Sequence, residues 1–181
     1  SGTDSLKVLT DIFQAGTQQR SEYHGLFRRA SEFVRSGRIG KLTEIYAYRD
    51  GGGIAWPTSF GPAMPMPDGL DWDLFLGPAP SIPYDGNLSA HRFDIGELNW
   101  GQHHYDIVQW AADADGTGPV ELFLEDGVTN YRYANGVTVY GRAHPDETFG
   151  IDGGATFVGT EGRITVDRNK MVSHPAHIIS E

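Results

Sequence analysis

Residues 120–142 read Val-Glu-Leu-Phe-Leu-Glu-Asp-Gly-Val-Thr-Asn-Tyr-Arg-Tyr-Ala-Asn-Gly-Val-Thr-Val-Tyr-Gly-Arg. Val120, Leu122 and Leu124 alternate with Glu121, Phe123 and Glu125, the period of two that marks a strand with unlike faces. Asp126-Gly127 and Asn135-Gly136 are tight-turn dipeptides of the kind that join hairpin strands. The runs beside them, 128–133 and 137–142, are therefore strands as well. A further pair, 155–159 and 163–167, is joined around Glu161-Gly162. The sequence thus predicts at least five strands in a largely antiparallel meander, with helices ahead of it.

Upstream the period changes. Tyr23, Leu26, Phe27, Ala30, Phe33 and Val34 recur at helical spacing, with Ser21 as a plausible N-cap and Gly37 as a residue just past the end. Residues 42–49 alternate again: Thr43, Ile45 and Ala47 on one side, Glu44, Tyr46 and Tyr48 on the other. Residues 51–95 hold seven of the ten prolines and seven glycines, so they read as a long irregular excursion with one short helix near Leu70–Leu76. A connection of that length is usually functional or disordered. Its five aromatic residues from Trp56 to Tyr84 favour order and the wall of a site. A helix over 98–112 follows, with Trp100, Ile107, Val108 and Ala111 available for packing. Residues 8–16 read as a short apolar strand.

The expected fold is α+β, an open, mostly antiparallel sheet with helices packed on one face, in a single domain over residues 1–181. Val120, Leu122 and Leu124 are expected to face the helix-covered core. The other face is expected to carry Phe123 and several of Tyr46, Tyr48, Tyr131, Tyr133 and Tyr140 among charges. Aromatic residues on an open sheet face fit a contact between subunits, or an ordinary amphipathic outer face.

Composition narrows the function. Thirty-nine per cent hydrophobic residues build an ample core, and a formal charge of −10 disfavours nucleic acid and anionic membranes as partners. Arg20, Arg28, Arg29, Arg35, Arg38 and Lys41 gather near the first helix, where a solvated face is the ordinary outcome. No apolar run approaches the roughly 20 residues that span a bilayer. Zero cysteines exclude disulfides, thiolate metal sites and a cysteine nucleophile, and leave the choice between cytoplasm and periplasm open.

Residues 99–110, Asn-Trp-Gly-Gln-His-His-Tyr-Asp-Ile-Val-Gln-Trp, place an amide, an imidazole and a carboxylate at Asn99, His103 and Asp106. Spacings of four and three put all three on one helix face, a way to hold polar groups around a polyhydroxylated substrate. A metal cluster of His103, His104 and Asp106 is disfavoured, because adjacent helix positions point about 100° apart. The acidic pairs Asp94/Glu97 and Asp71/Asp73 are weak signals for glycoside cleavage among 24 acidic residues. No G-x-S-x-G nucleophile elbow occurs.

Four segments occur in order: Phe13-Gln14-Ala15-Gly16-Thr17-Gln18-Gln19-Arg20-Ser21, Gly37-Arg38-Ile39-Gly40-Lys41, Gly69-Leu70-Asp71-Trp72-Asp73-Leu74-Phe75-Leu76-Gly77-Pro78-Ala79-Pro80, and Trp100-Gly101-Gln102-His103-His104-Tyr105-Asp106-Ile107-Val108-Gln109-Trp110. Together they resemble the glucose–fructose oxidoreductase/inositol dehydrogenase (Gfo/Idh/MocA) family over nearly the whole chain. The resemblance implies its C-terminal substrate and oligomerisation domain. It also implies that His103 contacts the substrate hydroxyl and assists proton transfer, with Asn99 where many members have an aspartate. An amide can orient the imidazole but cannot act as a base. Asp106 matches an aspartate that more often supports the helix. Arg92 and Asp94 fall where members often place substrate contacts. Gln18, Gln19 and Arg20 resemble the segment lining the cleft between the family's two domains, which implies substrate contacts for Gln19 and Arg20 and a cofactor contact for Gln18; a polar loop before Ser21 is the plain alternative.

The family's nucleotide-binding signature is missing. No G-x-G-x-x-G occurs, Gly116-Thr117-Gly118 precedes a strand, and the Glu-Lys-Pro segment that supplies a catalytic lysine is absent. By resemblance, residues 12–16 would be the last strand of a nucleotide domain. The expectation is a substrate-binding and oligomerisation domain of an NAD(P)-dependent sugar or polyol oxidoreductase, with NAD or NADP bound only in a full-length protein and no hydride transfer by this chain alone. The expected partners are a small sugar or polyol and further copies of the chain through the open sheet face. The alternative is a stand-alone carbohydrate-binding or assembly module without redox chemistry.

Overall fold

A computed structural model describes residues 25–48, 60–87, 101–148 and 153–180. The chain forms two compact units, one from Ser1–Asp50 with Gln102–Glu181 and the other from Gly51–Gly101.

In the larger unit, helix α1 spans Gly25–Arg35 and strand β1 spans Leu42–Tyr48. Helix α3, Gly101–Ala111, leads to β2 (Glu121–Glu125), β3 (Val128–Arg132) and β4 (Thr138–Tyr140). Strands β5 (Gly154–Gly159), β6 (Arg163–Asp167) and β7 (Met171–His174) follow, and a 3₁₀ turn at Ala176–Ile179 ends the described chain. Helix α2, Trp72–Leu76, belongs to the smaller unit.

The seven strands lie in the order β2-β3-β4-β1-β5-β6-β7. Strand β1 pairs parallel with β4 and antiparallel with β5, and the other neighbours are antiparallel. Pairing register aligns Val139, Ile45, Phe157 and Ile164 in one transverse row, all essentially without solvent contact. Helix α1 adds Phe27, Ala30, Ser31 and Val34, and α3 adds Ile107, Val108 and Ala111 to the same core. Fully burying one such large side chain contributes about 1.5–3 kcal/mol.

Both helices end alike. After α1, Gly37 at φ 82° lets its N–H reach the Val34 carbonyl at 3.0 Å and the Arg38 N–H reach Phe33 at 3.1 Å. This paired closure satisfies carbonyls that the helix leaves open. After α3 the left-handed residue is Asp113 at φ 54°, with Asp113 N–H to Trp110 and Ala114 N–H to Gln109. A left-handed aspartate costs more than glycine. Here Arg35 takes its carboxylate at 2.6 Å, which ties the end of α1 to the end of α3. Arg38 likewise donates to the Ile178 and Ser180 carbonyls, so part of the predicted solvated basic face anchors structure.

Several expectations need revision. Val120, Leu122 and Leu124 are not core: they are 67, 64 and 74% exposed. Leu122 does share the Tyr131, Val139 and Ile45 row, but β2 is the sheet's edge, outside the buried helix–sheet core. Tyr131 and Tyr133 belong to the helix side, where Tyr133 is buried and Tyr131 packs on the core. Tyr46, Tyr140 and Phe123 do lie on the opposite face with Glu44. The predicted 137–142 strand contracts to Thr138–Tyr140, and β7 adds a strand not foreseen. Ser21, Trp100, residues 8–16 and residues 98–100 lie outside the described residues.

In the smaller unit, Asp71 caps α2 by accepting the Leu74 N–H at 3.0 Å. The Trp72 indole donates to the Ile82 carbonyl at 2.7 Å, stacks on Phe75 and meets Tyr84 edge-on. The described part of the Pro-rich excursion, residues 60–87, is therefore ordered around a buried tryptophan, in line with its aromatic content.

Candidate functional site

Helix α3 positions the predicted histidine. His104, Ile107, Val108 and Ala111 recur at intervals of three and four and are buried. His103 and Asp106 fall on the neighbouring flank, where both are half-buried. An (i, i+3) pair on a helix shares one face. The two adjacent imidazoles thus have separate environments. His104 is the one at the helix–sheet contact, 3% exposed. Arg168, in the turn after β6, brings Nη1 to 3.3 Å from His104 Nε2. A guanidinium only donates, so Nε2 accepts and the ring proton sits on Nδ1. Arg168 also lies 5.7 Å from the Phe27 ring centroid, joining both helices to the β6–β7 turn. The sequence carries no local signal for this contact, since its partners are 64 positions apart.

The far end of α3 is fixed by Gln109. Its Nε2 donates to the Ala114 and Thr117 carbonyls, each at 2.6 Å, and its Oε1 accepts the Tyr133 hydroxyl proton. Burial raises the Tyr133 pKa, with the nearby Tyr131 adding to the shift. Tyr105 meets Tyr131 edge-on with ring centroids 5.5 Å apart. Helix α3 is therefore held at both ends, which fixes how its His103–Asp106 flank is presented.

Of the other predicted site residues, Asn99, Arg92, Asp94, Gln18, Gln19 and Arg20 lie outside the described residues. Gly116-Thr117-Gly118 sits between α3 and β2, where the Thr117 N–H bonds to Ala114 at 2.9 Å. A dinucleotide needs a glycine-rich turn from a strand into a helix. Among the described residues none occurs, so they do not fit that cofactor. Among the same residues no three His, Asp or Glu side chains form a metal site, and no helix is long and apolar enough to cross a membrane.

The sheet face away from the helices is polar and aromatic. Tyr46 and Tyr140 stack at 4.8 Å, His144 meets Tyr46 edge-on, and the Tyr46 hydroxyl donates to Glu44 at 2.9 Å. Burial first, then the Glu44 carboxylate, push the Tyr46 pKa up to about 12. Nearby, Glu147 is buried against Arg163 at 3.0 Å, with His174 at 3.5 Å.

An open, mostly antiparallel seven-stranded sheet with helices on one face is the α+β architecture expected of a C-terminal oxidoreductase domain. The chain belongs to the Gfo/Idh/MocA oxidoreductase family: residues 51–147, a little over half of it, match the model of that family's C-terminal alpha/beta domain. No curated protein matches the chain.

Proposed function

We propose that this chain is the substrate-binding domain of an NAD(P)-dependent sugar or polyol oxidoreductase, with the α3 flank recognising substrate hydroxyls. The observation that supports this best is the division between His103 and His104. One imidazole is buried against the sheet, and the other is half-buried, one helical turn from a carboxylate on the same flank. Imidazole titrates near neutrality and can take a hydroxyl proton as the carbon bearing it is oxidised. Asp106 accepts a neighbouring hydroxyl, and Asn99 orients the His103 ring. Arg92, Asp94, Gln19 and Arg20 supply further contacts to the sugar, with Gln18 towards the nucleotide. A bound nicotinamide would supply the hydride acceptor, and it would have to be held by residues other than those described. The Tyr46–Tyr140 face is proposed to meet a second copy.

Binding is tested by titrating the chain with hexoses and cyclic polyols while following amide shifts by NMR. His103 and Asp106 should shift at millimolar sugar, an affinity worth about 4 kcal/mol. His103→Ala should abolish those shifts and leave stability within about 0.5 kcal/mol. His104→Ala should instead lower stability by about 2 kcal/mol, through a lost buried contact. Shifts confined to other regions, or none at about 50 mM, well above a millimolar Kd, would overturn the reading.

A further inference from the structure

We infer that the β2 edge is a self-pairing surface, through which two copies of this chain join their sheets strand to strand. Strand β2 has the palindromic sequence Glu121-Leu122-Phe123-Leu124-Glu125. A two-fold contact requires one patch to complement itself, and an antiparallel strand pair centred on a palindrome does so at every position.

The hairpin sets the geometry. Asp126 and Gly127 both have positive φ, 52° and 76°, as a two-residue turn requires. Such a turn is closed by a hydrogen-bonded pair, here Glu125 and Val128. Hydrogen-bonded pairs then alternate to Phe123–Asn130 and Glu121–Arg132. The N–H and C=O groups of Leu122 and Leu124 therefore point away from β3. No described strand lies on that side. Pairing about Phe123 sets Leu122 against the partner subunit's Leu124, and each such pair exchanges two backbone hydrogen bonds.

Side chains on both faces fit the same register. On the helix side, Leu122 and Leu124 are among the most exposed large hydrophobic residues described, and in the pair they cover each other. On the polar side Glu121 falls opposite the partner subunit's Glu125. Each acid brings its own cation: Glu121 is paired with Arg132, and Glu125 with Arg142 at 2.8 Å. Like charges that would repel across an edge are thus neutralised beforehand. An edge left open normally carries charges that block pairing. Here the outward edge is flanked by leucines and balanced acids instead. The strip is smaller than the ~1,200 Å² of a stable interface, so the pairing is weak and is best detected by trapping.

The chain has no cysteine, so Phe123→Cys introduces a single thiol. In the proposed pair Phe123 meets its own copy at a non-hydrogen-bonded position with Cα atoms about 4.5 Å apart, within disulfide range. Position 121 would lie about 14 Å from its copy, too far to bridge. Under mild oxidation F123C should form covalent dimers roughly tenfold faster than E121C. Leu122→Pro removes an outward N–H, which an edge strand tolerates. F123C/L122P should therefore cross-link no faster than E121C while its circular dichroism is unchanged. Should that variant misfold, F123C/L124E, which keeps the backbone donors but removes the apolar pairing, should show the same loss. Equal rates for F123C and E121C would overturn the proposal. So would cross-linking that survives both second substitutions, which would assign the contact to the Tyr46 face and leave sugar binding untouched.

Discussion

Gln109→Leu offers a quantitative test of how α3 is anchored. The substitution puts a shorter, apolar side chain in its place and removes three hydrogen bonds. The Ala114 carbonyl retains the Thr117 N–H at 2.9 Å and the Thr117 hydroxyl at 3.3 Å, so its loss is partial. Tyr133 is only 8% exposed, and its hydroxyl would be left without its acceptor. An ordinary hydrogen bond contributes about 1 kcal/mol net, and a buried hydroxyl left unsatisfied costs about 1–3 kcal/mol. Gln109→Leu should therefore lower stability by about 3–4 kcal/mol, most of it at Tyr133. Tyr133→Phe should cost about 1 kcal/mol, because it deletes the group that would be stranded. The double variant should then lose about 1–2 kcal/mol less than the sum of the singles. Urea unfolding followed by tryptophan fluorescence measures all three. Additivity within about 0.5 kcal/mol would refute the account, since two groups in one hydrogen-bonded network must couple.

Further outcomes follow from single positions. The folded pKa of Tyr46 is pushed up to about 12 from 10.0, so its stability contribution is complete below pH 10 and is lost as pH rises towards 12. In a phenolate absorbance titration, Tyr46→Phe should remove a step near pH 12 and Glu44→Gln should lower it; an unchanged profile in Tyr46→Phe would contradict this. The Ser31 hydroxyl is fully buried on α1 without a hydrogen-bond partner among the described residues. Ser31→Ala should raise stability by about 0.5–1 kcal/mol in thermal unfolding, by removing that cost and by higher helix propensity. A Cβ at Gly159 would lie 2.1 Å from the Ile39 carbonyl oxygen, whereas at Gly116 it would meet nothing within 4 Å. Gly159→Ala should cost about 2 kcal/mol or more and Gly116→Ala about zero, a contrast that equal unfolding midpoints would contradict.

Local chemistry made much of the fold legible. The turn dipeptide at Asp126-Gly127, the period of two at residues 120–125 and the glycine closing α1 each act within a few residues, and each appears where the sequence places it. The burial of Val120, Leu122 and Leu124 did not follow, because alternation assigns a residue to a face but says nothing of whether that face is covered there. Tyr131 and Tyr133 went to the unexpected side for a related reason. Tyrosine carries both an apolar ring and a hydroxyl, and Gln109 gives the Tyr133 hydroxyl a buried acceptor. Within the candidate site, spacing put His104 on the face of Ile107, Val108 and Ala111 and His103 beside it, but gave no sign of what His104 meets there. Its contact, Arg168, comes from a turn 64 positions away.

Strand β1 sits between β4 and β5, although its residues precede both by a long stretch of chain. The Thr43 hydroxyl donates to the Val158 carbonyl across 115 positions. The described strands of residues 121–174 therefore form two antiparallel triplets, β2-β3-β4 and β5-β6-β7, joined in the sheet through a seven-residue strand from elsewhere. Closing a connection of that length adds little free energy, about 0.6 kcal/mol per doubling, but it slows assembly. Without β1, each triplet would have a bare inner edge. With β1 paired to β4 on one side and β5 on the other, the two triplets share one continuous ladder.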